Sequence, residues 1–298
     1  MNGETPCRLC PRRCGVLRDP DTGKGFCRVG STALVARAAP HIWEEPCISG
    51  TRGTGAVFFS GCTLRCAYCQ NCEISHDNKG RPLSPRQLAD VFKRLEDSGV
   101  HSLSLITATH FLPAVLSAFE LYRPKIPIVY NCGGYELEET VRRLDGLVDV
   151  WLPDIKNQSP KLSKLLLGCE DYFEHASAAV KQMCRQSGPA QYNAEGIMTR
   201  GTLVRHLIIP GCVSDTINIL RFVAEELPGG TPLSLMRQYT PSARCRISGL
   251  DRRITDAEYK RALAAFEAFG LEGFVQQAES ADSAYTPPFD GSGLDCQT

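Results

Sequence analysis

The chain has 298 residues, and its 33 basic and 33 acidic side chains give a formal net charge of zero. A balanced charge produces no overall field that would attract nucleic acid or an anionic membrane, and we expect neither as a partner. No apolar run approaches the length of a membrane-spanning helix, about 18 residues, and the N-terminus lacks the apolar core of a secretion signal. We therefore expect a cytoplasmic protein.

Cysteine is unusually abundant, with 15 residues. An odd count excludes a fully paired disulfide framework within one chain, and disulfide scaffolds are typical of short secreted domains. Metal binding is therefore the better interpretation of the clustered cysteines.

Composition divides the chain into three predicted regions. Residues 1–50 are rich in Cys, Gly, Pro and Arg, and we expect a small metal-binding extension there. Residues 51–277 alternate between apolar runs and amphipathic segments, which predicts the main domain. Residues 278–298 are small, polar and rich in Pro and Gly, which is typical of a tail or of a segment lying over the domain.

The middle region repeats a strand followed by a helix. One predicted helix opens with Ser84, Pro85 and Gln87, which is the pattern of a capped N-terminus. The predicted strands are 55–60, 102–107, 126–131, 148–155, 203–210, 233–239 and 273–277, and the predicted helices are 85–97, 111–122, 137–145, 159–168, 171–186, 214–227 and 255–269.

The predicted strands are continuous apolar runs, which favours parallel strands buried on both faces. Alternating strands and helices imply right-handed crossovers and a parallel α/β sheet. Six or seven units predict a curved, partly closed βα barrel, with a flat doubly wound sheet as the alternative. In both folds a functional site is expected at the C-terminal ends of the strands.

Three cysteines follow the first predicted strand of this region. Cys62, Cys66 and Cys69 have the spacing C-x3-C-x2-C, and soft thiolates select iron–sulfur clusters or zinc over hard cations. Three ligands on a cubane cluster leave one iron open, whereas a structural zinc site is closed by a fourth ligand. Cys72 or His76 could supply a fourth ligand, so a closed zinc or ferredoxin-like site is the alternative.

With Tyr68 directly before the third cysteine, the motif resembles the signature of the radical S-adenosylmethionine (SAM) superfamily. The resemblance implies a partial (β/α)6-type parallel barrel, here with a small Cys-rich N-terminal extension. It also implies a [4Fe–4S] cluster on Cys62, Cys66 and Cys69, with SAM bound to the open iron. In that family an electron cleaves SAM to methionine and a 5′-deoxyadenosyl radical, which abstracts hydrogen. Tyr68 would then pack beside the adenine, or serve as a core aromatic.

Further segments resemble the branch that contains the pyruvate formate-lyase activating enzymes. Asp154-Ile-Lys156 matches a D-x-K motif in which the Lys contacts SAM and the Asp helps to hold a monovalent cation. The segment 204–211 matches a strand whose Arg, here Arg205, contacts SAM. An ion pair at the barrel rim is the alternative for Lys156, and a buried structural ion pair is the alternative for Arg205.

One segment departs from that branch. Many members carry Gly-Gly-Glu near the amino group of SAM, and this chain has Thr107-Ala108-Thr109-His110 in its place. Hydroxyl and imidazole groups can hydrogen-bond an amine, so Thr109 and His110 are candidate contacts. Asn131, at the end of the third strand, is a similar candidate, with a role in a turn as the alternative.

Four further cysteines lie near the N-terminus: Cys7, Cys10, Cys14 and Cys27. So short a segment has too little apolar content to fold alone, and a metal held by thiolates would stabilise it. Zinc and an auxiliary [4Fe–4S] cluster both fit, and reduced, unliganded cysteines are the alternative.

Almost the whole chain resembles an uncharacterised subgroup assigned by similarity to pyruvate formate-lyase activating enzymes. The resemblance implies an oxidoreductase that removes a glycyl hydrogen from a partner protein, with reduced flavodoxin or ferredoxin as the electron donor. A radical SAM enzyme acting on a small molecule or peptide is the first alternative. A non-enzymatic iron–sulfur electron carrier and a zinc-binding structural protein are the others.

Overall fold

A computed structural model describes residues 6–276 and 286–295 of the chain. The strands are β1 (Ala33–His41), β2 (Thr54–Phe59), β3 (Arg81–Leu83), β4 (Leu103–Ile106), β5 (Ile128–Cys132), β6 (Val150–Pro153), β7 (Gln191–Tyr192), β8 (Met198–Thr202), β9 (Val204–Leu207), β10 (Leu233–Met236) and β11 (Gly273–Val275). The helices are α1 (Pro46–Ser49), α2 (Cys72–Ser75), α3 (Pro85–Asp97), α4 (Leu112–Leu121), α5 (Glu138–Arg142), α6 (Pro160–Leu167), α7 (Tyr172–Ser187), α8 (Val213–Glu226) and α9 (Asp256–Ala268).

The strands form two hydrogen-bonded sets, β3-β1-β2-β4-β5-β6-β8-β7 and β11-β10-β9. The pairs from β2 through β6 to β8 are parallel, as are those of the second set. Antiparallel partners lie only at the margins of the described sheet, where β1, β3 and β7 pair. A parallel sheet covered by helices is the predicted α/β arrangement.

The two sets are joined along β6. Leu203 separates β8 from β9 and donates its backbone N–H to the carbonyl of Trp151 at 2.9 Å. Beyond it, Asp154 and Arg205 form an isolated parallel bridge, and the N–H of Ile155 donates to the carbonyl of Arg205 at 2.8 Å. β8 and β9 therefore follow one another beside β6, and the sheet continues around a partial βα barrel, as predicted.

Helix α3 shows how local sequence sets these elements. The hydroxyl of Ser84 accepts a hydrogen bond from the backbone N–H of Gln87, and the Gln87 side chain accepts one from the N–H of Ser84. This reciprocal cap begins the helix at Pro85, the predicted residue. Leu88, Phe92 and other apolar residues at helical spacing face the core.

Sequence patterns did not predict β1, β3, β7 or β8. β1 lies within the predicted N-terminal extension, yet it pairs along its length with β2. Its alanine-rich sequence has little of the branched or aromatic character typical of strands, so its conformation depends on its two neighbours in the sheet.

The described part of the C-terminal segment, residues 286–295, lies on the domain. The N–H of Gly291 donates to the carbonyl of Ala36, and the N–H of Ala38 donates to the carbonyl of Ser292, both at 3.0 Å. Leu294 is buried in the main core. Residues 278–285 and 296–298 of the predicted tail, and residue 277 of the predicted main domain, lie outside the described residues. The divisions at residues 50 and 277 stay predictions.

Across the described ranges 6–276 and 286–295, no helix combines the length and the apolar character needed to cross a bilayer.

Candidate cofactor site

A cavity of about 250 Å³ lies at the C-terminal ends of the parallel strands. It brings together candidate residues that are far apart in the sequence, one group from the loop after β2 and others from β5, from β9 and from the segment that follows β6. The predicted site residues that line it are Cys62, Cys66, Tyr68, Cys69, Asn131, Asp154, Lys156 and Arg205.

The loop that carries the three cysteines, residues 60–76 (the cysteine loop), starts with a glycine turn. Gly61 has φ of +82°, and its N–H donates to the carbonyl of Ile74 at 2.8 Å, which closes the loop. A Cβ at Gly61 would lie 2.9 Å from Val29 and 3.1 Å from the His110 ring. Only glycine fits both this backbone conformation and this space.

Hydrogen-bond donors contact two of the sulfur atoms of the cysteine loop. The backbone N–H groups of Leu64 and Arg65 donate to Cys62 Sγ at 3.4 and 3.5 Å, and Ser75 Oγ donates to Cys69 Sγ at 3.3 Å. Such donors stabilise a thiolate relative to a thiol. Burial acts in the opposite direction, raising the pKa of Cys69 to about 11 and that of Cys66 further.

The donor set fits a [4Fe–4S] cluster with one open iron. The three thiols of the cysteine loop line one cavity, to which β5 adds the buried Cys132, and Cys72, the proposed fourth ligand of a closed site, is not among the lining residues. Within the described residues, no three His, Cys, Asp or Glu side chains already converge as a metal-binding group. Because a thiol changes position with its χ1 rotamer, the placement of the backbone decides which cysteines can converge. Coordination to a metal also deprotonates a thiol that burial keeps neutral.

Arg205 lies at the centre of a buried ionic network beside the cysteines. Its Nε donates to Asp154 Oδ1 at 2.9 Å, and its Nη2 donates to Asn131 Oδ1 at 2.7 Å. Its Nη1 donates to Glu44 Oε2 at 2.9 Å and lies 3.8 Å from Glu45 Oε2. Each guanidinium nitrogen therefore already has a protein partner, which favours a structural ion pair for Arg205.

The network contains three carboxylates and two cations, Arg205 and Lys156. Burial raises the pKa of Glu45 to about 7 and also raises the pKa of Glu44, although Arg205 opposes both shifts. Burial acts on Asp154 in the same direction, but Arg205 and Lys156 outweigh it and lower the pKa of Asp154. A proton on Glu45 would leave two carboxylates facing two cations.

Lys156 is the cation best placed for a ligand. Its Nζ donates to Asp154 Oδ2 at 2.7 Å, and its side chain is 18% exposed where it lines the cavity. Its backbone N–H donates to the hydroxyl of Tyr172, which itself donates to the carbonyls of Gly133 and Asp154. The backbone of Lys156 is thus held while its ammonium group has further hydrogens for a ligand.

Thr109 and His110 are not brought to the cavity. They lie in a short 3-10 turn and are fully or almost fully buried. Thr109 Oγ1 donates to Glu136 Oε1 at 2.6 Å, and His110 Nε2 lies 2.8 Å from the carbonyl oxygen of Ser60. Thr107 lines the cavity instead, with φ of +58°, a rare conformation for a β-branched residue. This backbone conformation directs the residues that follow, Thr109 and His110, away from the cavity. Glycine would adopt the same conformation readily.

Glu44 is the functional candidate that the sequence did not reveal. Its side chain is 7% exposed, and its Oε1 accepts a hydrogen bond from Asn131 Nδ2 at 3.0 Å. The sequence feature that pointed to such a partner was Arg205 within an apolar strand, because a buried cation requires an anionic partner. That signal does not say where in the chain the partner lies. Trp43, Thr286 and Pro287 also line the cavity and were not predicted.

Residues 56–177 match the family model of the Radical SAM superfamily. The chain contains a radical SAM domain. This superfamily uses a [4Fe–4S] cluster and SAM.

The chain is similar to the uncharacterised protein MJ0674 of Methanocaldococcus jannaschii, with 27% identity over 89% of this chain and 75% of that protein. Its structure is similar to that of a radical SAM methyltransferase from Sphaerobacter thermophilus, with a TM-score of 0.53, 14% identity, and coverage of 75% of this chain and 66% of that chain. It is also similar to Streptococcus suis SuiB bound to the precursor peptide SuiA, with a TM-score of 0.51, 13% identity, and coverage of 72% and 46%. At these identities the structural likeness shows the fold alone. This chain spans about half of SuiB.

Proposed function

We propose that Cys62, Cys66 and Cys69 hold the [4Fe–4S] cluster of this radical SAM enzyme and leave one iron open to SAM. The observation that carries the proposal is the cavity itself, because its lining joins all three thiols to Lys156 from β6. The ammonium group of Lys156 offers a positive charge to the carboxylate of SAM.

The remaining lining residues suggest how SAM is held. Tyr68 is buried, and its ring lies 6.2 Å from that of Tyr239, which fixes an aromatic surface suited to the adenine. The polar edge at Thr107 and Asn131 can hydrogen-bond the amino group of SAM. In this proposal Arg205 is a positioning residue that orients Asp154 and Asn131.

Cys62, Cys66 and Cys69 would hold the cluster, which in its reduced form would supply the electron for cleavage of SAM to methionine and a 5′-deoxyadenosyl radical. The chain has to keep water and stray hydrogen donors away from that radical. Phe58, Ile106 and Met236 give the cavity an apolar wall beside the thiols, which excludes water from the reacting atoms.

We infer further that the substrate is a partner protein from which a glycyl hydrogen is removed. Ile42 and Trp43 are 54% and 52% exposed, and Trp43 also lines the cavity. Large apolar side chains next to a reactive cavity favour a macromolecular partner over a small polar one. SuiB, which has a similar fold, was crystallised with a precursor peptide. A small molecule or a peptide is the alternative substrate.

The cluster assignment is tested by SAM cleavage under anaerobic conditions. The protein is reconstituted with iron and sulfide, reduced with dithionite in the presence of SAM, and 5′-deoxyadenosine is measured. We expect cleavage by wild type and by Cys72→Ala, and none by Cys66→Ala. An intact cluster without any cleavage would contradict the enzymatic proposal, and loss of the cluster in Cys72→Ala would favour the closed, ferredoxin-like alternative.

The substrate assignment is tested with fractions of the source cell separated by size. The reduced enzyme and SAM are incubated with the protein fraction or the small-molecule fraction, and electron paramagnetic resonance follows any protein radical. We expect a glycyl radical only with the protein fraction, as a hydrogen atom passes from the glycine Cα to the 5′ carbon. Substrate-dependent 5′-deoxyadenosine formation with the small-molecule fraction alone would contradict the activase proposal.

A further inference from the structure

The N-terminal cysteines lie in a small module, residues 6–30, that packs outside the barrel. Its backbone folds back on itself, since the N–H of Cys7 donates to the carbonyl of Val16 at 2.9 Å and the N–H of Gly15 donates to the carbonyl of Cys7 at 3.1 Å. A turn from Cys10 to Arg13 adds a third backbone bond at 2.9 Å. These bonds bring the first three cysteines of the module together.

Cys27 joins the other three from the far end of the module. It lies within electrostatic reach of Cys7 and Cys14, and Cys10 lies within reach of Cys7 and Cys27. Every thiol of the four therefore has at least one other thiol close by. Cysteines that lie close together either share a bound group or pack in an apolar core. Cys14 is exposed, so apolar packing does not account for the whole group.

Gly25 leaves space beside two of these sulfur atoms. A Cβ on Gly25 would lie 3.1 Å from Cys14 Sγ and 3.9 Å from Cys27 Sγ, although Gly25 itself is buried. A side chain would occupy the space next to the thiols. The glycine thus preserves a cradle at the point where Cys14 and Cys27 approach each other.

We propose that Cys7, Cys10, Cys14 and Cys27 bind one metal centre in closed, four-thiolate coordination, separate from the radical SAM cluster. Four thiolates leave no open position, which is the arrangement of a structural site. Zinc and an iron–sulfur cluster share this ligand chemistry. Within the described residues no three of these side chains converge as ligands, so the proposal requires the cysteines to change rotamer when the metal binds.

The proposed metal would also brace the cysteine loop, because the two are joined by Arg12. Its Nε donates to the carbonyl of Thr63 at 3.0 Å, and its two Nη atoms donate to the carbonyls of Gly168 and Leu167 at 2.8 and 3.0 Å. The guanidinium carbon lies 3.8 Å from the centre of the Phe26 ring, within the module. A metal that folds the module therefore fixes Arg12, and through it the backbone next to Cys62.

The site is tested in a variant that cannot hold the radical SAM cluster, with Cys62, Cys66 and Cys69 all replaced by Ala. The protein is purified anaerobically, and zinc, iron and sulfide are measured per chain together with the visible absorption spectrum. We expect about one zinc, or an iron–sulfur chromophore, in this variant, because the four N-terminal thiols remain. Both results support the site, and a metal-free, folded variant overturns it.

Substitutions in the module show which thiols hold the metal. Adding Cys10→Ala and Cys27→Ala to the triple variant should remove the metal, whereas adding Cys184→Ala, at a buried cysteine on α7, should leave it bound. If the N-terminal variants do not fold, the triple variant is stripped by chelation and titrated with cobalt(II). Thiolate-to-cobalt absorption near one equivalent supports the site, and its absence overturns the proposal. Neither readout depends on SAM cleavage, so the outcome is independent of the proposed function.

Discussion

The two cysteine groups of this protein use the same side chain in opposite surroundings. Cys62, Cys66 and Cys69 face a cavity that also contains Lys156 and a buried ionic network. The four N-terminal cysteines do not line that cavity, and the Arg12 side chain joins their module to the cysteine loop. In our proposals three thiols facing a cavity leave a site open to a ligand, and four thiols make a site closed on itself.

The first prediction tests how much the cavity depends on its ionic network. Arg205→Met replaces the guanidinium group with an uncharged side chain of similar length. It leaves Glu44 and Asp154 buried without the cation that they share. Breaking a buried pair in this way costs about 3–5 kcal/mol. We expect the free energy of unfolding of the apoprotein in urea to fall by that amount.

Arg205→Lys is the matched control for this change, since it retains the charge but cannot span Asp154, Asn131 and Glu44 at once. It should lose less stability than Arg205→Met. Equal stability of Arg205→Met and wild type would contradict the role of the network.

The second prediction concerns Glu136, a buried carboxyl group just before α5. Burial raises its pKa to about 8 from the ordinary value of 4.5, and Thr109 donates to it. Between these pH values the unfolded chain has lost this proton while the folded chain keeps it, so stability falls as pH rises from about 5 to 8. Glu136→Gln should remove that decline, which is on the order of 2–4 kcal/mol. Urea unfolding at several pH values measures it.

The matched control is Glu138→Gln, because Glu138 pairs with Arg142 on the surface of α5. Its pH profile should follow that of wild type. A Glu136→Gln profile as steep as that of wild type would show that Glu136 is ionised in the folded protein at neutral pH.

The third prediction tests the link between the regions. Arg12→Ala removes three hydrogen bonds to backbone carbonyls, two of them at the C-terminal end of α6. Because Arg12 is partly exposed, we expect a loss of about 1–3 kcal/mol and faster loss of iron from the cysteine loop on exposure to chelator. Arg8→Ala, at an exposed arginine of the same module, should change neither. If Arg12→Ala loses iron at the wild-type rate, Arg12 does not couple the N-terminal module to the cysteine loop.

Local sequence predicted the parts of this molecule that depend on neighbours in the chain. The spacing of Cys62, Cys66 and Cys69 and the cap at Ser84 each lie within a few residues, and the structure places them as expected. Parallel strands also predicted that Lys156 would reach the same end of the barrel as the cysteines.

The missed features depend on partners distant in the sequence or on one unusual backbone angle. Glu44 meets Arg205 across 161 residues, and no local pattern joins them. Thr109 and His110 have suitable side chains, but the positive φ of Thr107 turns them into the core. Polar character identified the right segment, and backbone conformation decided which of its residues lines the cavity.

The smallest predicted effect concerns a single hydroxyl within the cysteine loop. Ser75 Oγ donates to Cys69 Sγ at 3.3 Å, and a donor to a cluster sulfur favours the reduced, more negative cluster. Ser75→Ala should therefore lower the reduction potential, measured by redox titration followed by electron paramagnetic resonance, while SAM cleavage persists. Ser177→Ala, which removes a hydroxyl bonded to the carbonyl of Glu174 on α7, should leave the potential unchanged. Equal potentials in the two variants would mean that Ser75 does not bond to Cys69 when the cluster is bound. A lower potential in Ser75→Ala alone would place this hydroxyl beside the metal-bound thiolate.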